Sequence, residues 1–286
     1  MLQHKKLFGV IGDPISHSIS PYMQDYFIQT FKLKACYHAF RVPPDELQQA
    51  IRGARALGFG GLNVTVPHKT AVLPFIDSVD DTARRIGAVN TLHFCEGKIT
   101  GYNTDVSGFL QNLATENISL QDRHVFILGA GGAARAVAFA AREAGAARIQ
   151  IYNRTPSRAH ELARAVDGQP ASLEEIMMMP AEGVVVNATT VGMMPNVEES
   201  PLPEELFFAN LIYVDLVYNP VQTRFLAFAK KSGARTVDGL GMLIFQGIQA
   251  LQIWTGRKLD IAPWYAELKR KLEKTIEAMY QNMLFS

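Results

Sequence analysis

Three clusters of small polar residues in the first part of the chain have the types and spacing to do chemistry. The segment Asn63-Val-Thr65-Val-Pro67-His68-Lys69 sets Asn63 and Thr65 on one face of a strand and Val64 and Val66 on the other. Pro67 breaks that strand and leaves Lys69 just past its end, where open α/β sheets bind ligands. A lysine there is either a solvated charge or a cation offered to a ligand, and its small polar neighbours favour the second. Ser18 and Ser20 precede Pro21 and can present both hydroxyls beside the positive end of the helix it opens. That arrangement suits a carboxylate; Ser20 as a plain N-cap is the equal alternative. Gly87-Ala-Val-Asn90-Thr91 and Gly101-Tyr-Asn103-Thr104-Asp105 place Asn90 and Asp105 in otherwise apolar surroundings. Asp105 also reads as a helix cap. Together these residues predict a hydroxyl- and amide-rich pocket for a small polyhydroxylated anion.

A fourth cluster has a different chemistry. The apolar run from His124 to Leu128 enters Gly129-Ala130-Gly131-Gly132-Ala133-Ala134. Gly129 lets the chain turn sharply, Gly131 lets backbone approach a pyrophosphate, and Ala134 permits close helix–sheet packing. The N–H groups of the next helix then point at the phosphates. The following strand ends in Asn153-Arg154-Thr155-Pro156-Ser157-Arg158, without the acid that grips an NAD ribose. Arg154 and Arg158 at a helix N-terminus oppose its dipole unless an anion lies between them, so they predict a 2′-phosphate and hence NADP.

The elements that must hold these clusters alternate in type. Strands are predicted at 7–12, 35–42, 60–66 and 89–94, with helices at 21–33 and 44–57. A second series follows: strand 125–128, helix 133–144, strand 149–152, helix 156–166, then strands 184–187 and 211–216. Two helices, 240–255 and 263–283, close the chain. This rhythm predicts an α/β protein of two domains. The first, 1–103 plus 239–286, is an α/β substrate-binding domain completed by the C-terminal helices. The second, 104–238, is an inserted Rossmann-type doubly wound parallel sheet that binds NADP. Hinges fall near Thr104 and Gly239, with the site in the cleft between the domains.

At 286 residues and 48% apolar the chain can build two cores. A net charge of +1 gives no footprint for nucleic acid or an anionic membrane. The apolar stretch after Lys5 and Lys6 is too short for a signal peptide, so a cytoplasmic location is expected and the Asn-x-Ser/Thr matches are not glycan sites. Cys36 and Cys95 lack metal or disulfide spacing; no metal is expected, and Cys36 reads as a buried small hydrophobe. Met177-Met178-Met179 reads as core filler at a helix end. Tyr265 and Lys269 imitate the catalytic pair of short-chain dehydrogenases, but Trp264, Leu268 and Leu272 mark that helix as packing.

Taken in order, the clusters resemble the shikimate dehydrogenase family over nearly the whole chain. Further matching motifs are Asn187-Ala-Thr189, Asp215-Leu-Val-Tyr218-Asn-Pro220-x-x-Thr223 and Asp238-Gly239-x-x-Met242-x-x-x-Gln246. The resemblance implies NADP-dependent reduction of 3-dehydroshikimate to shikimate in aromatic amino acid biosynthesis, with Lys69 and Asp105 catalytic. It implies that Ser18, Ser20, Asn63, Thr65, Asn90, Tyr218 and Gln246 surround shikimate. Thr189, Leu216, Gly239 and Met242 would line the nicotinamide, and Asp81 matches an acidic position sometimes placed near the cofactor. In this reading the Lys69 ammonium stabilises the developing alkoxide and Asp105 orients it. Partners are then small molecules, with the chain a monomer or homodimer. The rivals are a quinate or dual-specificity enzyme and a non-catalytic NADP-binding regulator; intact Lys69 and Asp105 argue against the latter.

Overall fold

The computed structural model describes residues 5–16 and 18–284. It divides into two units, Met1–Asp105 with Ile244–Leu272, and Val106–Leu243 with Glu273–Ser286.

In the first unit the apolar run of β1 (Lys6–Gly12) is buried at its last five residues, as expected of a strand covered on both faces. α1 (Ser20–Thr30) returns the chain to β2 (Ala35–Arg41). α2 (Leu47–Ala56) buries Leu47, Ile51 and Ala54 at helical spacing and leads to β3 (Gly61–Val64). α3 (His68–Ala71), β4 (Ser78–Val79) and α4 (Asp81–Ile86) follow. β5 (Thr91–Cys95) and β6 (Lys98–Tyr102) form a hairpin. Its two turn residues, Glu96 and Gly97, both have positive φ, which matches the right-handed twist of the strands. The sheet order is β2-β1-β3-β5-β6-β4, with β1 parallel to β2 and β3, and β5 antiparallel to β3.

The second unit begins in α5 (Asp105–Thr115) and continues through β7 (His124–Leu128), α6 (Gly132–Glu143), β8 (Arg148–Tyr152), α7 (Pro156–Ala165) and β9 (Gln169–Pro170). β10 (Val184–Asn187), β11 (Ile212–Asp215), α8 (Arg224–Lys231) and β12 (Arg235–Val237) complete it. All six strands are parallel, in the order β12-β11-β10-β7-β8-β9. Numbered within the unit, that is 6-5-4-1-2-3, the doubly wound order of dinucleotide-binding folds. α9 (Leu240–Thr255) and α10 (Tyr265–Leu284) end the chain.

Several expectations need correction. Ile19, not Ser20, is the N-cap of α1, because the Ser18 hydroxyl accepts the Ser20 N–H at 3.3 Å and draws Ser20 into the first turn. The strand expected at 60–66 stops at Val64, and residues 44–46 form a separate 3-10 turn ahead of α2. The second unit also takes in residues 273–284 of α10, whereas the domain boundary expected from sequence is 239. Met177 and Met178 are exposed and only Met179 is buried; Cys36 is half-buried.

Within the first unit α9 is fixed from two sides. The Trp254 indole stacks on Phe8 at 4.8 Å and donates to the Leu92 carbonyl at 2.8 Å. Gln24 of α1 donates to the Gly247 carbonyl at 3.0 Å. These contacts locate the turn of α9 that carries Gln246.

Candidate active site

Lys69 lies in the single turn of α3, which Pro67 precedes and the buried His68 anchors through its Nε2, 2.7 Å from the Val42 carbonyl. Its backbone carbonyl accepts from Val89 at 2.8 Å, and its Nζ reaches Asp105 Oδ2 at 2.5 Å. Both side chains are largely withdrawn from water, with exposures of 15% and 6%. Asp105 opens α5, and both oxygens of its carboxylate accept hydrogen bonds from other side chains. Asn90 donates to Oδ1 at 2.8 Å and Lys69 takes Oδ2, while Asn103 accepts the Asp105 N–H at 3.0 Å.

The Asn90 amide cannot flip, because its oxygen accepts the backbone N–H of Thr104 at 2.9 Å. Its nitrogen therefore faces Thr104 Oγ1, Asp105 and, at 3.5 Å, Gln246 Oε1. Asn63 joins the same network: it donates to Thr91 Oγ1 at 3.1 Å and accepts the buried Tyr37 hydroxyl at 2.8 Å. Lys69, Asp105, Asn90, Asn63 and Gln246 thus lie in one hydrogen-bonded network. Ser18 and Ser20 sit at the start of α1, and no hydrogen bond joins them to this network among the described residues. Thr65 is half-buried just past β3, and Tyr218 belongs to the second unit. Asp81 is exposed and ion-paired with Arg84 at 2.8 Å. The supporting residues Tyr37, Thr91 and Thr104 carried no functional reading from sequence. Thr91 and Thr104 lie inside quoted motifs, whereas nothing near Tyr37 marks it.

In the second unit Gly129 ends β7 with φ +111, and a Cβ there would press on Ala188 O and Thr189 Cγ2, both at 3.1 Å. Gly131 is different. A Cβ on it would meet no protein atom within 4 Å, so no protein neighbour requires a glycine there. A backbone surface left open at a helix start, at the switch point between β7 and β10, fits a bound pyrophosphate. Ala130, Gly132 and Ala133 complete the turn into α6, with Ala134 fully buried behind it. Arg154 and Arg158 are exposed at the start of α7, and Asn153 steadies the turn by donating to the Thr155 carbonyl at 3.0 Å. The residues present fit an NADP with its 2′-phosphate at the two arginines.

Thr189, Leu216, Gly239 and Met242 follow β10, β11 and β12, at the same ends of the strands as Gly129. Between them lies Asp215, wholly buried. Burial pushes its carboxyl up to about 7, opposed by hydrogen bonds from Thr223, Val217 and Asn187. Asp215, Asn187 and Thr223 stand in the quoted motifs without an assigned role.

One unit with the dinucleotide-binding strand order and another holding a buried lysine–aspartate pair, in a single chain, define a two-unit α/β oxidoreductase. Comparison with known families narrows the class. Residues 10–92 match the family described as shikimate dehydrogenase substrate binding domain, 112–220 that described as shikimate/quinate 5-dehydrogenase, and 239–269 the shikimate 5′-dehydrogenase C-terminal domain. The NADP(+) shikimate dehydrogenase of Geobacillus kaustophilus is 44% identical over 262 residues, 90% of this chain and 95% of that protein. The Moorella thermoacetica shikimate dehydrogenase (NADP(+)) is 44% identical over 265 residues, 90% of each chain. The crystal structure of shikimate 5-dehydrogenase from Thermus thermophilus in complex with NADP(H) and shikimate superposes with a TM-score of 0.85. It is 41% identical over 93% of this chain and 99% of that one. The chain belongs to the shikimate dehydrogenase family.

Proposed function

We propose that the protein catalyses the reversible, NADP-dependent reduction of 3-dehydroshikimate to shikimate, the first unit holding the substrate and the second the dinucleotide. The observation that carries this reading is the Lys69–Asp105 pair, set among amide and hydroxyl groups whose orientations are fixed. When bound, the nicotinamide supplies or takes the hydride. The protein's own task is the proton. Lys69 donates a hydrogen bond to the ketone oxygen and stabilises the negative charge that develops there, then yields a proton to the alkoxide. In the reverse direction the pair accepts the hydroxyl proton. Asp105 holds the ammonium in place and accepts a substrate hydroxyl, and Asn90 holds Asp105. Ser18 and Ser20 receive the ring carboxylate, and Asn63, Thr65, Tyr218 and Gln246 the remaining polar groups. Gly129 to Ala133 and the α6 N-terminus take the pyrophosphate, Asn153 to Arg158 the 2′-phosphate, and Thr189, Leu216, Gly239 and Met242 the nicotinamide.

A second reading, quinate as substrate, is favoured by the shikimate/quinate description of the family matched at 112–220. Quinate adds a hydroxyl on the carboxylate-bearing carbon, and discrimination rests on the space around Ser18 and Ser20. Nicotinamide absorbance followed with shikimate and quinate, each with NADP and NAD, tests both. We expect shikimate with NADP to dominate. Comparable efficiency on quinate would assign dual specificity, and no turnover with either would leave an NADP-binding regulator. No helix among the described residues is long and apolar enough to cross a membrane. A cytoplasmic monomer or homodimer serving aromatic amino acid biosynthesis completes the proposal.

A further inference from the structure

Asn187 and Asp215 are paired residues at the ends of the neighbouring parallel strands β10 and β11. Asn187 donates to Asp215 Oδ1 at 2.9 Å, and the Val217 N–H donates to the same oxygen at 2.9 Å. Thr223, the N-cap of α8, donates its hydroxyl to Oδ2 at 2.6 Å. One carboxylate thus closes the loop from 215 to 223 at both ends and ties it to the loop after β10. That second loop is set by Asn187 in turn, whose oxygen accepts both the N–H and the hydroxyl of Thr189, at 3.0 and 2.7 Å. Leu216 is held from its other side as well: a Cβ on Gly239 would stand 2.6 Å from its carbonyl oxygen.

We propose that Asp215 is the positioning residue of the nicotinamide end of the dinucleotide site, its carboxylate clasping the two loops that carry Thr189, Leu216 and Tyr218. This rests on the dinucleotide reading given above.

The chemistry explains why a carboxylate stands there. Burying it without a cation among its hydrogen-bond partners is costly, and a strand end could be finished by an apolar residue. Only a carboxylate accepts on two oxygens at once and so satisfies three donors from three places in the chain. An asparagine keeps one acceptor and turns an NH₂ toward either Thr223 Oγ1 or the Asn187 and Val217 donors. Asp215 itself faces the strand ends and the loop interior; it acts through the residues it holds.

The test compares two ligands that share one half. Adenosine 2′,5′-bisphosphate reaches the arginines and stops short of the nicotinamide, whereas NADPH spans the whole site. We expect Asp215→Asn to bind the bisphosphate within about twofold of the wild type and NADPH roughly three- to tenfold more weakly. The emission of bound NADPH should move toward that of free NADPH. Should the variant not fold, Thr223→Val opens the Oδ2 side alone and should show the same split on a smaller scale, with Thr223→Ser behaving as wild type. Equal losses for both ligands, or none for either, overturn the clasp. A wild type that binds neither ligand overturns the dinucleotide reading and the clasp with it. A wild type that binds both, beside a variant that loses both alike, overturns the clasp alone.

Discussion

Lys69 Nζ lies 2.5 Å from Asp105 Oδ2, although 36 residues separate the two in the chain. An ion pair this withdrawn from water gains little net stability, because desolvation offsets most of the Coulomb attraction. Its placement is therefore better explained by chemistry than by folding. Lys69→Ala should lower kcat by about 10²–10⁴-fold while shikimate still binds within an order of magnitude. Asp105→Asn should lose rate and affinity together, since its carboxylate is proposed also to accept a substrate hydroxyl. The double variant should be little worse than the worse single, as expected of groups acting as a unit. Steady-state kinetics decide: a Lys69→Ala enzyme with raised KM and intact kcat would make the lysine a binding residue only.

Arg154 is exposed at the start of α7, where its cation opposes the helix dipole. A charge-assisted hydrogen bond to a 2′-phosphate contributes about 1.5–3 kcal/mol, so Arg154→Ala should weaken NADP roughly ten- to a hundredfold. NAD, which lacks that phosphate, should be used as before. Calorimetric titration with both cofactors separates this from a structural role, in which the two would weaken together.

The long amphipathic and apolar segments were legible from sequence because their periodicity is local. The α9 limits, 240–255, agree with the reading to the residue. Short edge strands were not: β4, β9 and β12 have two or three residues each, too few to show a period. β6 escaped because Lys98-Ile-Thr-Gly-Tyr102 sits in a stretch read only for its polar motif. In the site, the motifs hold the residues of the Lys69–Asp105 network, but the tasks of their neighbours are not all readable. Asn187, Asp215 and Thr223 act through hydrogen bonds across strands, and such partners are set by register, which a single sequence does not display. Tyr37 is harder still. Its hydroxyl matters only because β2 pairs with β1, and β1 in turn with β3, which brings Tyr37 within 2.8 Å of Asn63.

The buried Asp215 makes stability depend on pH in a defined direction. Its carboxyl is raised to about 7 in the folded protein, chiefly by desolvation, against an ordinary 3.8. Between those values the folded state holds a proton that the unfolded chain releases, so this group's contribution is fully present below about 4 and is lost as pH rises through about 7. Other groups titrate too, so the informative quantity is the wild-type stability minus that of Asp215→Asn, which lacks the ionisation. That difference should fall from pH 5 to pH 7 and then level off, read by denaturant unfolding at each pH. A difference that stays flat over this range would mean that the three donors stabilise the ionised form at least as much as burial penalises it.

Gly61 offers a test of how the sheet of the first unit positions Gln246. A Cβ at this residue of β3 would lie 2.1 Å from the Nε1 of Trp254, well inside contact distance. The indole has no easy retreat: it donates to the Leu92 carbonyl at 2.8 Å, stacks on Phe8 and is nearly wholly buried. Gly61→Ala must therefore displace Trp254, and with it the helix that carries Gln246 two turns earlier. Overpacking of this kind costs about 1–3 kcal/mol, and breaking the indole hydrogen bond adds about 1 kcal/mol. We expect a lower denaturation midpoint with an unchanged m-value. Because the displaced turn of α9 lies nearer Gln246 than Met242, KM for shikimate should rise more than KM for NADP. If stability fell as expected but both KM values held, α9 would tolerate movement at Trp254 without passing it on to Gln246.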